Sequence, residues 1–194
     1  MKNWQNLYDS VEQGWITNES SLFRVKRKLM SKTFIGFTDE DGHEIIPCKY
    51  LRHNKYEFQY GLLEVVGDNE KIGFVNKEGE EIITCQYDKV SDIEEGLICV
   101  CKDYKWGVIN TKGHVIVPLQ YRWLGHMGHG RIMVQNFQSY RVGAIDYSGN
   151  LVIPLKYYQL GRVTIDNKIE YFMSEGGEHG FLDINGNCIE FLQC

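Results

Sequence analysis

The stretch KWGVINTKGHVIVPLQY, residues 105–121, decides the fold of this chain, because related segments recur along the sequence. Its middle part reads as a glycine, two residues typical of strands, a polar residue, two turn residues and a second glycine. Five segments fit this pattern: GFTDEDG (36–42), GFVNKEG (73–79), GVINTKG (107–113), GAIDYSG (143–149) and GFLDING (180–186). Such repetition at a nearly constant period is the signature of a repeat protein.

Two further runs flank each glycine pair. A β-rich run precedes it: LFRVKRK (22–28), LLEVV (62–66), LICVC (97–101), RIMVQ (131–135) and IEYFM (169–173). A short apolar run follows it: EIIPCKY (44–50), EIITCQY (81–87), VIVPLQY (115–121), LVIPLKY (151–157) and CIEFLQC (188–194). Short polar turns between such runs are typical of hairpins. Each copy therefore predicts a three-stranded antiparallel β-meander.

The predicted fold is all-β, with five three-stranded antiparallel meander repeats stacked in a curved array. A closed, propeller-like ring is the alternative. The repeat domain covers residues 22–194, and residues 1–21 form an N-terminal lead-in that covers one end. The expected units are approximately 22–50, 61–87, 96–121, 130–157 and 168–194. Each meander shelters the apolar side of its neighbour, as in other repeat arrays.

The recurring glycines, prolines and tyrosines have structural explanations. The second glycine of each pair follows two turn residues, where a positive φ is favoured. The first glycine lies inside a strand and indicates a close backbone approach or a bulge. Pro47, Pro118 and Pro154 share one repeat position, which must be an edge or a bulge because proline has no N–H to donate. The tyrosines that end the third runs are expected to pack between meanders: Tyr50, Tyr87, Tyr121 and Tyr157.

The segment KWGVIN…GHVIVPLQY…GRIMV resembles the WG-repeat family, also called KWG repeats, of mainly bacterial proteins. Trp106 and Gly107 match the Trp-Gly pair of that family, and Tyr87 and Asp88 match its Tyr-Asp element. The other copies depart at the tryptophan, with Ile35, Ile72, Val142 and His179, and several depart at the aspartate, with Leu51, Arg122 and Tyr158. The resemblance extends over about residues 21–194. It implies a non-catalytic binding or scaffolding repeat without shared catalytic residues.

Composition and charge narrow the classes of partner. The chain has 194 residues, of which 21 are Lys or Arg and 26 are Asp or Glu, so its net charge is −5. An acidic chain is a poor match for a phosphate backbone, which is bound through clustered basic residues, and a nucleic-acid partner is therefore not expected. No apolar run is long enough for a signal peptide or a membrane span, so we expect a cytoplasmic protein without a membrane partner. The six cysteines are then expected to be free thiols.

A basic run near the start of the repeats has two interpretations. Strand alternation places Arg24, Lys26 and Lys28 on one face of the first run. The favoured interpretation is a solvated face that protects the leading edge from pairing with another molecule. The other is a contact with a nucleic acid or an acidic protein.

Motifs for catalysis and metal binding are weak, and no catalytic residue, metal site or cofactor is predicted. The six cysteines include no C-x-x-C, and the nearest histidine pair is His126 and His129. Cys48 and Cys85 align with Leu119 and Leu155 in other repeats, which indicates core positions. The alternative function is a metal-dependent enzyme or a small-ligand or glycan binder that uses His126, His129 and loop aromatics.

The links between meanders differ from repeat to repeat and are the expected recognition sites. They are LRHNKYEFQYG (51–61), DKVSDIEEG (88–96), RWLGHMGHG (122–130) and YQLGRVTIDN (158–167). Loops on a rigid scaffold commonly carry function, and aromatic, Arg and Met side chains dominate binding hot spots. The candidate binding residues are Tyr56, Phe58, Arg122, Trp123, His126, Met127, His129 and Tyr158. Phe58, Ile93 and Trp123 could instead turn inward between meanders.

These features together favour a non-enzymatic protein-binding module. Its size, its acidity and the weak catalytic motifs suggest, as a hypothesis, an immunity or inhibitor protein that blocks a bacterial toxin or effector. The partner is then another protein, which binds the links between meanders.

Overall fold

Antiparallel β-strands make up nearly all of the regular structure. A computed structural model describes residues 3–13, 22–51 and 57–192, so the candidate Tyr56 lies outside the described residues. Besides the strands, these residues form one short 3-10 helix, Asn3–Leu7. Nowhere in the described ranges is there a helix with the length and apolar character needed to cross a membrane. The prediction of an all-β chain of repeated meanders is confirmed.

The chain folds as two compact units. The first comprises Met1–Val90 and Thr111–Gly113, and the second comprises Ser91–Asn110 and His114–Cys194. The first unit contains an antiparallel sheet of seven strands in chain order. These strands are β1 (Ser10–Gln13), β2 (Phe23–Leu29), β3 (Lys32–Thr38), β4 (Glu44–Leu51), β5 (Leu63–Val66), β6 (Ile72–Val75) and β7 (Glu81–Tyr87), and the short β8 (Lys89–Val90) follows them.

The second unit contains the third, fourth and fifth meanders. The third has β9 (Leu97–Lys102), β10 (Lys105–Asn110) and β11 (Val115–Tyr121). The fourth has β12 (Trp123–Gly128), β13 (Arg131–Gln135), β14 (Val142–Asp146) and β15 (Leu151–Tyr157). The fifth has β16 (Gln159–Leu160), β17 (Lys168–Phe172), β18 (His179–Asp183) and β19 (Cys188–Leu192). In each of these sheets, successive strands pair antiparallel.

The fourth and fifth meanders have four strands rather than the predicted three. The links 122–130 and 158–167 contain β12 and β16, each of which pairs with the first strand of the predicted meander. Leu124 pairs with Val134 and is buried, so β12 adds to the core. Three glycines in this link interrupt the period-two pattern that normally reveals a strand. This interruption explains why the sequence indicated a loop.

The leading glycine of a repeat lies where two strands come unusually close. In the fourth meander Val142 pairs with Tyr157 and Ala144 with Ile153, so residues 154–156 bulge opposite Gly143 alone. A Cβ on Gly143 would lie 2.3 Å from the carbonyl oxygen of Ile153. At the corresponding Gly36, Gly73 and Gly107 the nearest atom would be 2.5–2.6 Å away. The predicted close approach and bulge are both confirmed, and a proline fits there because the ladder is interrupted.

The second glycine of each repeat closes a turn that an Asx side chain stabilises. In the fourth meander the Oδ1 atom of Asp146 accepts hydrogen bonds from the backbone N–H groups of Ser148 and Asn150, both at 2.9 Å. The turn glycines all have a positive φ: Gly42 (90°), Gly79 (82°), Gly113 (78°), Gly149 (86°) and Gly186 (83°). The positive φ confirms the role predicted for them, because only glycine adopts it without strain.

Each turn glycine also sits on the third strand of the preceding repeat. A Cβ on Gly149 would lie 3.2 Å from the Ile116 carbonyl oxygen, and one on Gly186 would lie 3.2 Å from that of Val152. In the first repeat, the Trp4 ring of the lead-in takes the equivalent place, 2.3 Å from a Cβ on Gly42. The lead-in therefore packs on the first meander as a preceding repeat would.

The core lies where neighbouring meanders face each other. Within the second unit, one cluster joins the third and fourth meanders through Cys99, Val108, Leu124, Val134 and Ile145, among others. Another joins the fourth and fifth through Ala144, Ile153, Tyr157, Ile169 and Leu182, among others. In the first unit the corresponding cluster includes Phe37, Ile46, Tyr50, Leu63 and Val75. Of the recurring tyrosines, Tyr50, Tyr87 and Tyr157 are buried and Tyr121 is half-buried.

Part of the basic run of β2 faces the lead-in rather than open solvent. β1 pairs antiparallel with β2, and Glu12 on β1 forms ion pairs with Arg24 and Lys26. Hydrogen bonds from Lys26 and then Arg24 lower the pKa of Glu12 to about 2. The expectation of a solvated face holds for Lys28, which is exposed, but not for Arg24 and Lys26, whose side chains are 21% and 16% exposed. The leading edge is covered by β1.

We predict that Gly143→Ala lowers the free energy of unfolding by about 1–3 kcal/mol, the range for an atom forced into packed structure. The new Cβ would collide with backbone atoms of Ile153 and Pro154, which cannot rotate away as a side chain can. Urea denaturation followed by circular dichroism measures the change. Gly161→Ala is the matched control, since its Cβ would meet ordinary contacts at 3.5 Å or more. Equal stability of the two variants would contradict the bulge argument.

Candidate functional site

Five of the eight candidate residues lie on or beside β12: Arg122, Trp123, His126, Met127 and His129. The strand places them in different environments. Arg122 and Trp123 are exposed, and His129 is exposed in the turn that leads to β13. Met127 is only 2% exposed, and the His126 side chain is 3% exposed. The expectation that all five belong to an exposed link is therefore corrected for His126 and Met127.

Trp123 lies flat along the outer face of its strand. A Cβ on Gly125 would come within 2.7 Å of the Trp123 ring, so the absence of a side chain there makes room for the indole. Trp123 is 43% exposed, and the alternative in which it turns inward is wrong. Phe58, in contrast, is partly buried against the core cluster of the first unit, and Ile93 is buried.

Arg122 and Tyr158 lie beside a surface groove with a second tyrosine. The Arg122 guanidinium lies over the Tyr140 ring, 4.3 Å from its centroid. Tyr140 and Tyr158 both line a groove of about 440 Å³. We call this the tyrosine groove, and its lining residues are Gln135, Ser139, Tyr140, Arg141, Tyr158 and Gln159. Trp123 pairs with Gln135 across the sheet, which brings the indole-bearing strand next to the groove.

The hairpin between β13 and β14, residues 136–141, holds Tyr140 in place. The Asn136 Oδ1 atom accepts hydrogen bonds from the Ser139 N–H at 3.1 Å and from its hydroxyl at 3.0 Å. The Gln135 amide donates to the Tyr140 carbonyl oxygen at 2.9 Å. Tyr140 itself has a φ of 57°, which is unusual for a bulky residue. These bonds fix the tip of the hairpin before any partner binds.

Tyr140 and Arg141 were missed in the sequence because the search for recognition sites covered only the links between meanders. The available signal was the residue types of this hairpin rather than its length. The connection between the first and second runs has two residues at 30–31 and at 103–104, five at 67–71, and six at both 136–141 and 173–178. Among these connections, 136–141 is the one whose sequence combines two aromatic residues, Phe137 and Tyr140, with an arginine, Arg141.

A second group of polar side chains lies inside the second unit. Cys99 Sγ and His126 Nε2 are 3.5 Å apart, and His126 Nδ1 is 3.9 Å from a Glu94 carboxylate oxygen. The Arg162 guanidinium is 3.8 Å from the other oxygen of Glu94. The Tyr147 ring meets the imidazole edge to face, with centroids 6.4 Å apart. Cys99, His126 and Glu94 thus place a thiol, an imidazole and a carboxylate in series.

Burial prevents this group from acting as an activated nucleophile. Cys99 is fully buried, and burial raises the pKa of its thiol to about 12, whereas a reactive cysteine needs an accessible thiolate. Burial also lowers the pKa of His126, an effect that the charges of Glu94 and Glu95 oppose. Both groups are therefore neutral near pH 7.

The structure offers no support for the metal-site alternative built on His126 and His129. His126 points into the protein while His129 is exposed in a turn. In the described part of the chain, no three side chains from His, Cys, Asp and Glu are grouped so that they could hold a metal ion. The five cysteines that the structure describes are free thiols: Cys48, Cys85, Cys99, Cys101 and Cys188.

The chain is similar to one repeat family and to two solved structures. A family model described as a WG containing repeat matches residues 72–106, 106–136 and 143–169. A crystal structure titled as the eukaryotic initiation factor is 10% identical, with a TM-score of 0.51, and the match covers 95% of this chain and 54% of that chain. A protein of unknown function from Bacteroides caccae is 15% identical with a TM-score of 0.33, over 95% of this chain and 80% of that chain.

These likenesses differ in what they show. The chain spans only about half of the initiation factor structure, and at 10% identity this likeness concerns the fold alone. None of the curated proteins matches the sequence. The repeat family is the informative finding, because its three matches begin in the second, third and fourth meanders and each ends in the meander that follows.

We predict that His126 makes the protein less stable as the pH falls. Its pKa is lower in the folded than in the unfolded chain, so the unfolded chain binds the proton more tightly. Stability should therefore decrease as the pH drops below about 6.5, the ordinary value, by at most about 1.4 kcal/mol per pH unit. His126→Gln should flatten this part of the profile, measured by urea denaturation between pH 7.5 and 5. His114→Gln, at an exposed turn, is the control, and identical slopes in all three proteins would contradict the prediction.

Proposed function

Because the chain belongs to the WG-repeat family, we propose that it is a non-enzymatic module that binds another protein. Its recognition surface comprises the tyrosine groove together with Arg122 and Trp123. One observation carries the proposal: the Arg122 guanidinium stacks on Tyr140 at a groove that Tyr158 also lines. Arg122 and Tyr158, from different links, and Tyr140, from a hairpin, thus lie together on one exposed surface of the second unit.

The chemistry of this surface suits protein recognition. Tyr, Trp and Arg are the residues most enriched among binding hot spots. Here Tyr140 is 56% exposed and Tyr158 is 45% exposed, so both rings have surface that a partner can remove from water. Rings lose little conformational freedom on binding because they have only two side-chain torsions. The hydrogen bonds of the 136–141 hairpin reduce that loss further for Tyr140.

The contrast between recurring structural residues and non-recurring exposed residues supports the same proposal. The recurring glycines form the bulges and turns, and the buried hydrophobic residues form the core between stacked repeats. Every repeat needs these features. Trp123, Tyr140 and Tyr158 have no counterpart among these structural positions and leave much of their surface exposed. A rigid scaffold with variable surface side chains is a common design for selective binding.

For the partner we propose a bacterial toxin or effector, which this chain blocks as an immunity or inhibitor protein in the cytoplasm. The chain is small and acidic, with a net charge of −5. Such a charge favours association with a partner whose surface is mostly basic. Blocking requires only tight binding. The buried, neutral state of Cys99 and His126 fits a protein whose activity is binding rather than covalent chemistry.

We predict that Trp123→Ala combined with Tyr158→Ala weakens partner binding by at least about 30-fold, the effect of losing one hot spot of about 2 kcal/mol. Wild type and variant are immobilised in equal amounts and exposed to extract of the native cell. Retained proteins are identified by mass spectrometry, and the affinity of each is then measured by calorimetry. Tyr104→Asn is the matched control, because Tyr104 is 89% exposed and asparagine tolerates its positive φ.

Two outcomes would count against the proposal. Binding to a protein would be refuted if wild type retained nothing that the double variant loses. The immunity role would be refuted if expression of the identified partner were harmless to cells, or if co-expression of this chain gave no protection. In a positive result, wild type and Tyr104→Asn protect the cells and the double variant does not.

A further inference from the structure

We propose that the tyrosine groove receives an acidic segment of the partner, with Arg122 and Arg141 binding its carboxylates. This inference rests on the proposed protein-binding function and specifies the chemistry of its ligand. It starts from the two arginines beside the groove, neither of which has a carboxylate partner among the described residues.

Arg122 presents its hydrogen-bond donors to solvent. Its guanidinium lies over the Tyr140 ring, with Cζ 4.3 Å from the ring centroid, and this contact uses none of its N–H groups for a conventional hydrogen bond. Within the ranges that the structure describes, the Arg122 side chain has no hydrogen bond and no ion pair. Stacking restricts the rotation of the side chain, and a planar guanidinium held in this way matches a carboxylate with two parallel hydrogen bonds.

Arg141 is held in place by the neighbouring meander. One of its terminal nitrogens donates to the Met173 carbonyl oxygen at 2.8 Å, and the residue lines the tyrosine groove. This bond fixes the guanidinium without neutralising it, because its acceptor is a neutral backbone oxygen. The groove therefore has a positive charge from Arg141 at its wall and one from Arg122 beside Tyr140.

Several other basic side chains among the described residues are paired with carboxylates. Arg24 and Lys26 pair with Glu12, Lys32 pairs with Asp68, and Lys168 pairs with Asp166. Against this background, two arginines without counter-charges on one groove form a local positive surface on a chain whose net charge is negative. Such a surface attracts acidic groups selectively, since the remaining charge of the chain repels a large anion.

The ligand that fits is an acidic peptide segment rather than a nucleic acid. Two arginines can pair with two carboxylates, whereas binding to a phosphate backbone depends on many basic contacts made in parallel. The groove also has two tyrosines and the amide of Gln159, which suit the apolar parts and backbone of a peptide. An acidic segment within a protein whose remaining surface is basic would complement both the groove and the rest of this chain.

The defined probe is a fluorescently labelled hexaglutamate peptide, with hexalysine and hexathymidylate as comparison ligands. Fluorescence anisotropy at low salt should show binding of hexaglutamate to wild type, weakened by added salt. Arg122→Glu combined with Arg141→Glu should weaken this binding at least about tenfold. The matched control, Lys105→Glu combined with Lys156→Glu, has the same net charge and should change binding less than twofold. Arg122→Gln alone gives a second variant that leaves the bond from Arg141 to Met173 intact.

Several results would overturn the inference. It fails if wild type does not bind hexaglutamate, if hexathymidylate or hexalysine binds more tightly, or if both charge-reversal pairs weaken binding equally. Binding of the cellular protein partner to the two double variants distinguishes failure of this inference from failure of the proposed function. If that partner is lost with Trp123→Ala/Tyr158→Ala but kept with Arg122→Glu/Arg141→Glu, the protein-binding function stands and the acidic segment is refuted.

Discussion

The close approach of two backbones at the leading glycine is the constraint on which each of the first four meanders depends. At Gly107 a Cβ would lie 2.5 Å from the Val117 carbonyl oxygen, so only glycine allows the third strand to bulge across the second. The bulge bends the third strand, and it places Tyr121 opposite Trp106 at the far end. The strand therefore ends at a defined point, and the following link starts in a defined direction. In the fifth meander the register differs, because Gly180 pairs directly with Phe191.

Stacking between repeats then determines where the surface groove forms. The turn at Gly186 sits on β15 of the fourth meander, so the fourth and fifth meanders keep a fixed spacing. Tyr140 comes from the hairpin between β13 and β14 of the fourth, and Tyr158 directly follows β15. Arg141 ties the same hairpin to Met173 in the fifth meander. The tyrosine groove is thus a property of two adjacent repeats, which neither would form alone.

The repeated features could be predicted from sequence because each has one local cause. Positive φ at the turn and backbone contact at the bulge both demand glycine, so the register of the glycines revealed the meanders. β12 was hidden because Gly125 makes room for Trp123, which broke the alternation expected of a strand. The burial of Met127 follows from that strand and was hidden with it. Tyr140 lies in a hairpin as long as the one at 173–178 in the fifth meander, so its residue types and not its length mark it as a recognition site.

Two groups of polar side chains in the second unit differ in their availability to a ligand because of their surroundings more than their residue types. Cys99, His126 and Glu94 are types that commonly perform nucleophilic catalysis, but the buried thiol stays protonated and no solvent reaches it. Arg122 and Arg141 are ordinary surface types, yet stacking on Tyr140 and the bond to Met173 hold both charges beside an open groove. A ligand gains most from groups that are fixed before binding and still solvated, because little entropy is lost and the contacts are free to form. The same scaffold therefore makes the first group a part of the core and leaves the second available to a partner.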